Sequence, residues 1–258
     1  MRITLITVAF NSAKTIRDTF DSVLSQTCND YEYIVVDGLS NDNTIDIIKE
    51  YEPKFNGKMR WISEKDSGLY DAMNKGIRMA TGDVVGILNS DDIFSAADVL
   101  DKIKQHFLKN STDAVYGDVR YVKADDLTVP VRHYSSKNFK RWKMRLGLMP
   151  AHPSFYARKI LFEQYGFYRT DYKIAADFDL LLRFIFIHNI KIQYIPMIFV
   201  TMRMGGVSSN SFKVHFRIMR EHLQTFKREK CYTNALLLSL RYFGKVYDLL
   251  KAKICKEY

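Results

Sequence analysis

From the first residue to Leu108 the chain alternates short β-branched runs with helix-length stretches, and this alternation constrains the fold more than any other feature of the sequence. Strands and helices that take turns in this way build βαβ units, whose crossover helices cover both faces of a mostly parallel central sheet. Four strands are expected at residues 3–9, 33–37, 59–63 and 84–88, each apolar enough to be buried on both faces. Helices are expected at 13–26, from Thr44 through Ile48, at 69–80 and at 96–108. The first carries Ile16, Phe20, Val23 and Leu24 at helical spacing behind an N-cap at Asn11 or Ser12. The third is stopped by Thr81-Gly82-Asp83, where the glycine can supply a left-handed cap.

Past Ser111 the pattern changes to short strands at 114–122 and 131–133, a basic helix, a strand at 154–157 and a helix at 177–187. This reads as an α+β continuation of the same sheet. A length of 258 residues suits one large α/β domain with a short appendage. The domain is placed at 1–210, as a 1–110 half and a 111–210 half, and a helical tail at 211–258. The apolar fraction of 47% permits a sizeable core and excludes a disordered chain.

Lys and Arg outnumber Asp and Glu by 39 to 29, a net charge of +10 that suits nucleic acid, an anionic membrane face or a phosphorylated substrate. The excess gathers in the second half, at 137–145 and from Lys213 onward. The three cysteines, Cys28, Cys231 and Cys255, are odd in number and widely spaced. Neither a disulfide framework nor a zinc cluster is indicated, so a reducing cytoplasm is expected. The first nine residues read as a strand rather than a secretory leader. No run of about 18 apolar residues occurs, so nothing is expected to span a bilayer.

Ligands of parallel sheets bind beyond the carboxyl ends of the strands, and here those ends are polar. They read Thr7-Val8-Ala9-Phe10-Asn11, then Asp37-Gly38, then Glu64-Lys65-Asp66-Ser67-Gly68, then Asn89-Ser90-Asp91-Asp92. Singly, such residues are ordinary in turns and helix caps. Four successive strands delivering them to one edge point to a binding site. Adjacent carboxylates at Asp91 and Asp92 repel unless a cation or cationic partner lies between them. Hard oxygen ligands suit magnesium or manganese, with water and substrate phosphate completing the shell.

Those segments, with Val35-Val36-Asp37-Gly38-Leu39-Ser40-Asn41-Asp42-Asn43-Thr44, Asn74-Lys75-Gly76 and Gly82-Asp83, resemble in order and spacing the family-two glycosyltransferases of the GT-A fold. The resemblance covers roughly residues 1–205 and is strongest to the bacterial branch that assembles O-antigen and capsular polysaccharide. It implies an enzyme that moves a sugar from a nucleotide diphosphate-sugar, a UDP-sugar by preference, to a hydroxyl of a lipid-linked glycan, with a divalent metal, manganese or magnesium. On that pattern Thr7, Ala9, Asn11 and Asp37 would hold the base, while Asp66 and Gly68 would close the donor pocket. Asp91 would touch ribose or sugar, and Asp92 would ligate the metal bridging the diphosphate. Two departures stand out. Asn89 occupies a place where many relatives carry an acid, and Asp37-Gly38-Leu39-Ser40 replaces their Asp-Asp-Gly-Ser.

Ala175-Ala176-Asp177-Phe178-Asp179 resembles the Glu-Asp-X-Asp segment that supplies the base of inverting members, which assigns that role to Asp177. An Asp opening an apolar helix is also an ordinary N-cap. His152, in Met149-Pro150-Ala151-His152-Pro153-Ser154, is assigned by the same resemblance to the acceptor and metal region, as a second metal ligand. Arg203-Met204-Gly205-Gly206-Val207-Ser208 resembles a loop closing over the diphosphate. In the tail, basic residues share helices with Phe216, Phe226, Leu236 and Phe243, as in a segment held peripherally on the anionic inner face of the plasma membrane. The alternative is a helical pair packed on the main domain or on a second copy, making a homodimer.

A sugar nucleotidyltransferase would also place acids beyond a nucleotide-binding sheet, but it usually needs a Gly-rich loop after the first strand, and Ala9-Phe10-Asn11-Ser12 has no glycine. A basic nucleic-acid or glycan-binding module is the non-enzymatic rival. Clustered acids at a strand edge repel a phosphate backbone, so no nucleic-acid partner is expected.

Overall fold

The computed structural model describes residues 1–205 and 212–241. Strands β1 (Ile3–Ala9), β2 (Tyr31–Asp37), β3 (Met59–Ser63) and β4 (Val84–Ile87) lie in the order β3-β2-β1-β4 and are parallel throughout. All seven residues of β1 are buried, as are all seven of β2, because helices cover both faces. Side chains alternate across the sheet with the period of two that a strand imposes. Ile3, Leu5, Tyr33 and Val35 pack against helices α1 (Ile16–Leu24), α2 (Thr44–Tyr51) and α4 (Val99–Lys109). Ile6, Val8, Ile34 and Val36 face α3 (Leu69–Met79) and the second half of the chain. Phe20 sits at the centre of the first layer, edge-on to Tyr33 and Phe55. Truncating it to alanine is expected to cost about 3–5 kcal/mol.

Past β4 the sheet turns mixed. It continues β4-β8-β6-β9-β5, through β5 (Ile93–Phe94), β6 (Ala114–Val122), β8 (Tyr156–Arg158) and β9 (Ile192–Arg203), with β7 (Pro130–Tyr134) paired to β6. Strand β8 is antiparallel to both β4 and β6, and β9 is parallel to β6. Two reversals restore direction, so β6 and β9 end at the same edge as β1 to β4.

Several elements differ from the sequence expectation for identifiable reasons. Helix α1 starts at Ile16 rather than Ala13 because the β2 loop takes the preceding amides: Ser12 N–H donates to Thr44 Oγ1 at 2.8 Å and Ala13 N–H to Asp42 Oδ2 at 3.1 Å. Neither Asn11 nor Ser12 caps it with a side chain. Gly82 is not a left-handed cap; a Cβ there would lie 2.7 Å from the Arg2 carbonyl oxygen, so the glycine is required by a close approach to β1. The basic helix is a single tight turn, Arg141–Leu146, and the expected strand at 154–157 is shifted to β8 behind a tight turn at His152–Ser154.

Helix α5 (Lys159–Tyr165) leads toward α6 (Ala176–Leu181), which widens into a π-turn at Leu182–Ile187. Helix α7 (Phe212–Arg228) and a further helical run from residue 235 follow. The described part of the segment expected as a tail is built into the core, with Phe226 and Leu238 almost fully buried. Gly206, Val207 and Ser208 of the expected loop, and Phe243 of the tail, lie outside the described residues. Among the described residues no helix is long and apolar enough to cross a membrane.

Candidate active site

The parallel register sets Ala9 beside Asp37 and Asp37 beside Ser63, which aligns three strand ends on one edge. Asp37 is fully buried, and its carboxylate accepts hydrogen bonds from Ser40 N–H at 3.0 Å, Ser63 Oγ at 2.7 Å and the Ser40 hydroxyl. Asp66 arrives from the loop after β3. Its Oδ1 accepts from Gly68 N–H at 2.8 Å, and its Oδ2 lies where a Cβ on Gly38 would come within 2.5 Å. Gly38 therefore has no substitute that leaves Asp66 in place. Asn11 closes the corner with a φ of 50°, donating its N–H to Ser40 Oγ and accepting Asn41 N–H on Oδ1.

Thr7, expected to help hold the base, has its side chain inside the sheet rather than at the open edge. Its hydroxyl donates to the Leu88 carbonyl at 2.7 Å and pairs with Tyr33 OH at 2.8 Å, with no exposure. It ties β1 to β4 inside the sheet. Ala9 contributes only backbone, its carbonyl accepting Gly38 N–H.

The end of β4 joins this edge through Ser12 Oγ and Ser90 Oγ, 2.8 Å apart. Asp92 is 1% exposed; its Oδ2 accepts from Asn89 Nδ2 at 3.3 Å and the Arg203 backbone N–H lies close enough to favour its charge, while its Oδ1 and the Asn89 Oδ1 are buried with no hydrogen-bond partner. Burial and then the Asp91 charge push the Asp92 carboxyl well above the ordinary range, and burial also raises Asp91. Arg203, at the end of the unexpected β9, is the cation that opposes both shifts. It is held by Asp18 and the Ala124 carbonyl, and its Nε is buried without a partner.

Buried oxygens left unpaired are what a hard cation would satisfy, and the donor set here, Asp92 with Asn89 and Asp91 alongside, is made of hard oxygens. Among the described residues no three His, Cys, Asp or Glu side chains group as a metal site. Such a cation would accordingly draw most of its shell from ligand and water. His152, expected as a second ligand, is engaged elsewhere. Its Nε2 pairs with Tyr168 OH at 2.7 Å, and burial lowers its pKa to about 4, which favours the neutral ring.

Asp177 opens α6, its Oδ1 accepting Phe178 N–H at 2.7 Å, and desolvation raises its carboxyl to about 7. Two residues on, Asp179 is fully buried and clamped by Arg169 at 2.7 Å and Arg183 at 2.9 Å. The two acids of the motif thus have different surroundings. Tyr121, near the end of β6, is raised mainly by burial and further by the charges of Asp92 and Asp177. Sequence reasoning missed Tyr121, although the strand-end rule that found the acids applies to it.

Comparison with known proteins places the chain in a family and a fold. A "PGL/p-HBAD biosynthesis glycosyltransferase" of Mycobacterium tuberculosis is 31% identical over 180 residues, covering 69% of this chain and 68% of that protein. A second M. tuberculosis protein, described as an uncharacterized glycosyltransferase, is 33% identical over 185 residues, 70% of this chain and 68% of its own length. Among solved structures, S. aureus TarS 1–349 in complex with UDP-GlcNAc superposes with a TM-score of 0.71 at 18% identity, over 93% of this chain and 71% of that one. Another TarS structure matches 86% of this chain, which spans only 39% of it. The mannosyltransferase PcManGT from Pyrobaculum calidifontis, in complex with GDP-Man and Mn2+, gives 0.65 at 19% identity, over 88% and 63%. These likenesses show a shared fold, the GT-A arrangement of a curled mixed sheet flanked by helices. The model of glycosyl transferase family 2 matches residues 4–166, which contain every strand-end acid of the carboxylate edge, and so the chain belongs to glycosyl transferase family 2.

Proposed function

We propose that this glycosyltransferase is an inverting enzyme that transfers a sugar from a nucleotide diphosphate-sugar, with a UDP-sugar as the preferred donor, to a hydroxyl of a lipid-linked glycan in the assembly of a surface polysaccharide of the O-antigen or capsular kind. The observation that carries this reading is a buried acid with an unpaired oxygen, Asp92, at the strand-end edge of a family 2 glycosyltransferase, beside a helix acid, Asp177, raised to about 7.

The donor base lies over Phe10, Gly38 and Asp66, where the Phe10 ring is 63% exposed at the edge. Arg203, whose Nε has no hydrogen-bond partner, would meet the diphosphate. Asp92 and Asn89 would hold a divalent cation, manganese or magnesium, which supplies positive charge for the departing diphosphate. Asp177 takes the acceptor hydroxyl proton as that oxygen bonds to the anomeric carbon and the bond from this carbon to the diphosphate breaks. A carboxyl near 7 is matched to that task at neutral pH. The TarS complex with UDP-GlcNAc and the PcManGT complex with GDP-Man and Mn2+ support the donor and metal classes.

A basic turn with Trp142 56% exposed lies beside the helical run in which Leu236 is 73% exposed, the Thr233 hydroxyl bonding the Arg145 carbonyl. This supports peripheral docking on an anionic membrane, in reach of a lipid-linked acceptor. Thermal shift with UDP-, GDP- and dTDP-sugars plus manganese tests the donor, and a ligand that binds the native state raises the melting temperature. Sedimentation with anionic against neutral vesicles tests the docking. No nucleotide-dependent shift across the panel would overturn the donor reading.

A further inference from the structure

Asp177 stands on a six-residue helix whose N-cap is Ala175, which has no side-chain acceptor. The backbone leading into it, Lys173 to its N-cap Ala175, brings three amides that need partners when shielded from water. Here the partner comes from α7. Glu221, 8% exposed, accepts Lys173 N–H on Oε1 at 3.1 Å, and Ile174 and Ala175 N–H on Oε2 at 3.0 and 2.8 Å. The same segment is held from the other side, where Tyr70 OH of α3 donates to the Ile174 carbonyl. A small cleft of about 60 Å³ separates it from Ser67, Gly68 and Leu69 on the donor side.

We propose that Glu221 is a positioning residue for the catalytic base: by gathering the amides of Lys173, Ile174 and Ala175 it sets where the Asp177 carboxylate stands against the acceptor hydroxyl. This rests on the reading of Asp177 as the base. Glu221 lies outside the stretch matched to the family. A carboxylate is suited to the place because it accepts three converging N–H groups, and charge-assisted bonds to an anion are the stronger kind. Glu221 also acts on the base directly, since its negative charge opposes ionisation of Asp177. The other titratable groups facing Asp177 are Tyr70 from α3, Tyr121 from β6 and Tyr168 from the preceding loop.

The test is Glu221→Gln, whose amide keeps the shape but turns a donor toward backbone donors. Turnover is read as nucleotide release from UDP-, GDP- and dTDP-sugars with water as acceptor, and binding with UDP plus manganese. A 1 Å misplacement of a reacting group costs on the order of 10²-fold, so kcat is expected to fall roughly 10- to 100-fold. UDP affinity stays within about twofold, and the acidic limb of the kcat/KM profile moves to lower pH. Glu221→Asp keeps the charge and shortens the reach: kcat falls while the limb stays put, which decides the matter if the Gln variant does not fold. Arg228→Gln, which removes an exposed pair with Asp171 at the same junction, leaves kcat and the pH profile unmoved. Wild-type kcat and pH profile in a folded Glu221→Gln protein would overturn the proposal, as would equal losses of UDP affinity and kcat. Asp177→Asn run alongside separates the two ideas. If it keeps full turnover, the base reading fails and this inference with it; if it is inactive while Glu221→Gln is normal, only this inference fails.

Discussion

Asp92 and Asp179 are both almost wholly buried, yet the protein treats them in opposite ways. Asp179 is gripped by Arg169 and Arg183, and Arg183 spends its remaining donors on the carbonyls of Tyr165, Gly166 and Phe167. Asp92 has one oxygen with no partner, and the other is met by an asparagine amide at 3.3 Å and, more weakly, by the backbone and charge of Arg203. Burying a charge without a partner costs several kcal/mol, so natural folds keep such groups where a ligand will complete them. The donor edge is therefore held open at a cost in stability, while the helical side around Asp179 is closed. Asp177 belongs with Asp92 although it lies two residues from Asp179.

The largest effects should appear in turnover. Asp92→Asn is expected to abolish metal-dependent transfer and to weaken manganese-dependent nucleotide binding. Asp177→Asn keeps that binding and loses a general-base factor of about 10² to 10⁴ in kcat. Asp179→Asn, if the comparison holds, leaves the base's pH limb in place and acts through folding. Calorimetric nucleotide binding beside steady-state rates separates the three, and a Asp177→Asn protein with undiminished transfer would dissolve the distinction between the two neighbouring acids.

Stability inverts that order. Removing one partner of a buried ion pair typically costs about 3–5 kcal/mol, so Asp179→Asn is expected to be strongly destabilising. Asp92→Asn replaces a buried carboxyl whose desolvation Asn89 and Arg203 offset only in part, and is expected to raise the stability of the metal-free protein. Urea denaturation without and with manganese reads both, and a metal-free Asp92→Asn protein weaker than wild type would break the contrast.

The acids also set a pH dependence, best read as a difference. Asp177, raised to about 7 by desolvation, keeps its proton in the folded protein after the unfolded chain has lost it near about 4. The folded state then binds more protons, so this group's contribution to stability falls as pH rises through that window. His152 and His222 are held neutral by burial and act with the opposite sign. Subtracting isolates the acid. The stability of Asp177→Asn relative to wild type should grow from about pH 4 to about pH 7 and then level off, as measured by denaturant titration.

How much of this was legible follows from where the information lies. Strands β1 to β4 were readable because strands buried on both faces need unbroken apolar runs. Strand β9 was not, because Pro196 interrupts it and its pairing with β6 shifts register at Gly117, where a Cβ would lie 2.7 Å from the Met197 carbonyl. The basic helix failed because Arg141 to Leu146 alternates charged and apolar residues by twos, and only Met144 is buried. In the site, Asp37, Asp66, Asp91 and Asp92 could be found from strand ends. The surroundings of Thr7 were not legible from its neighbours in sequence: it lies inside β1, where alternation turns its hydroxyl into the helical layer with Tyr33. His152 carried no local cue to its neighbour, and Glu221 lies 46 to 48 residues from the amides it gathers, a contact without a local signature.

The smallest effect concerns strain on the same edge. Leu39 adopts a φ of 61° while 52% exposed, in the loop that follows β2. A bulky side chain in the left-handed region costs roughly 1–2 kcal/mol. Glycine would remove that cost, but the greater freedom of the unfolded chain returns about 0.4–1 kcal/mol. Leu39→Gly is therefore expected to stabilise by no more than about 1 kcal/mol, seen as a small rise in melting temperature. If the donor edge keeps its strain for binding, the same substitution weakens nucleotide affinity as it stabilises. If affinity is unchanged, the strain is incidental, and the cost of holding this edge open resides in the unpaired acids alone.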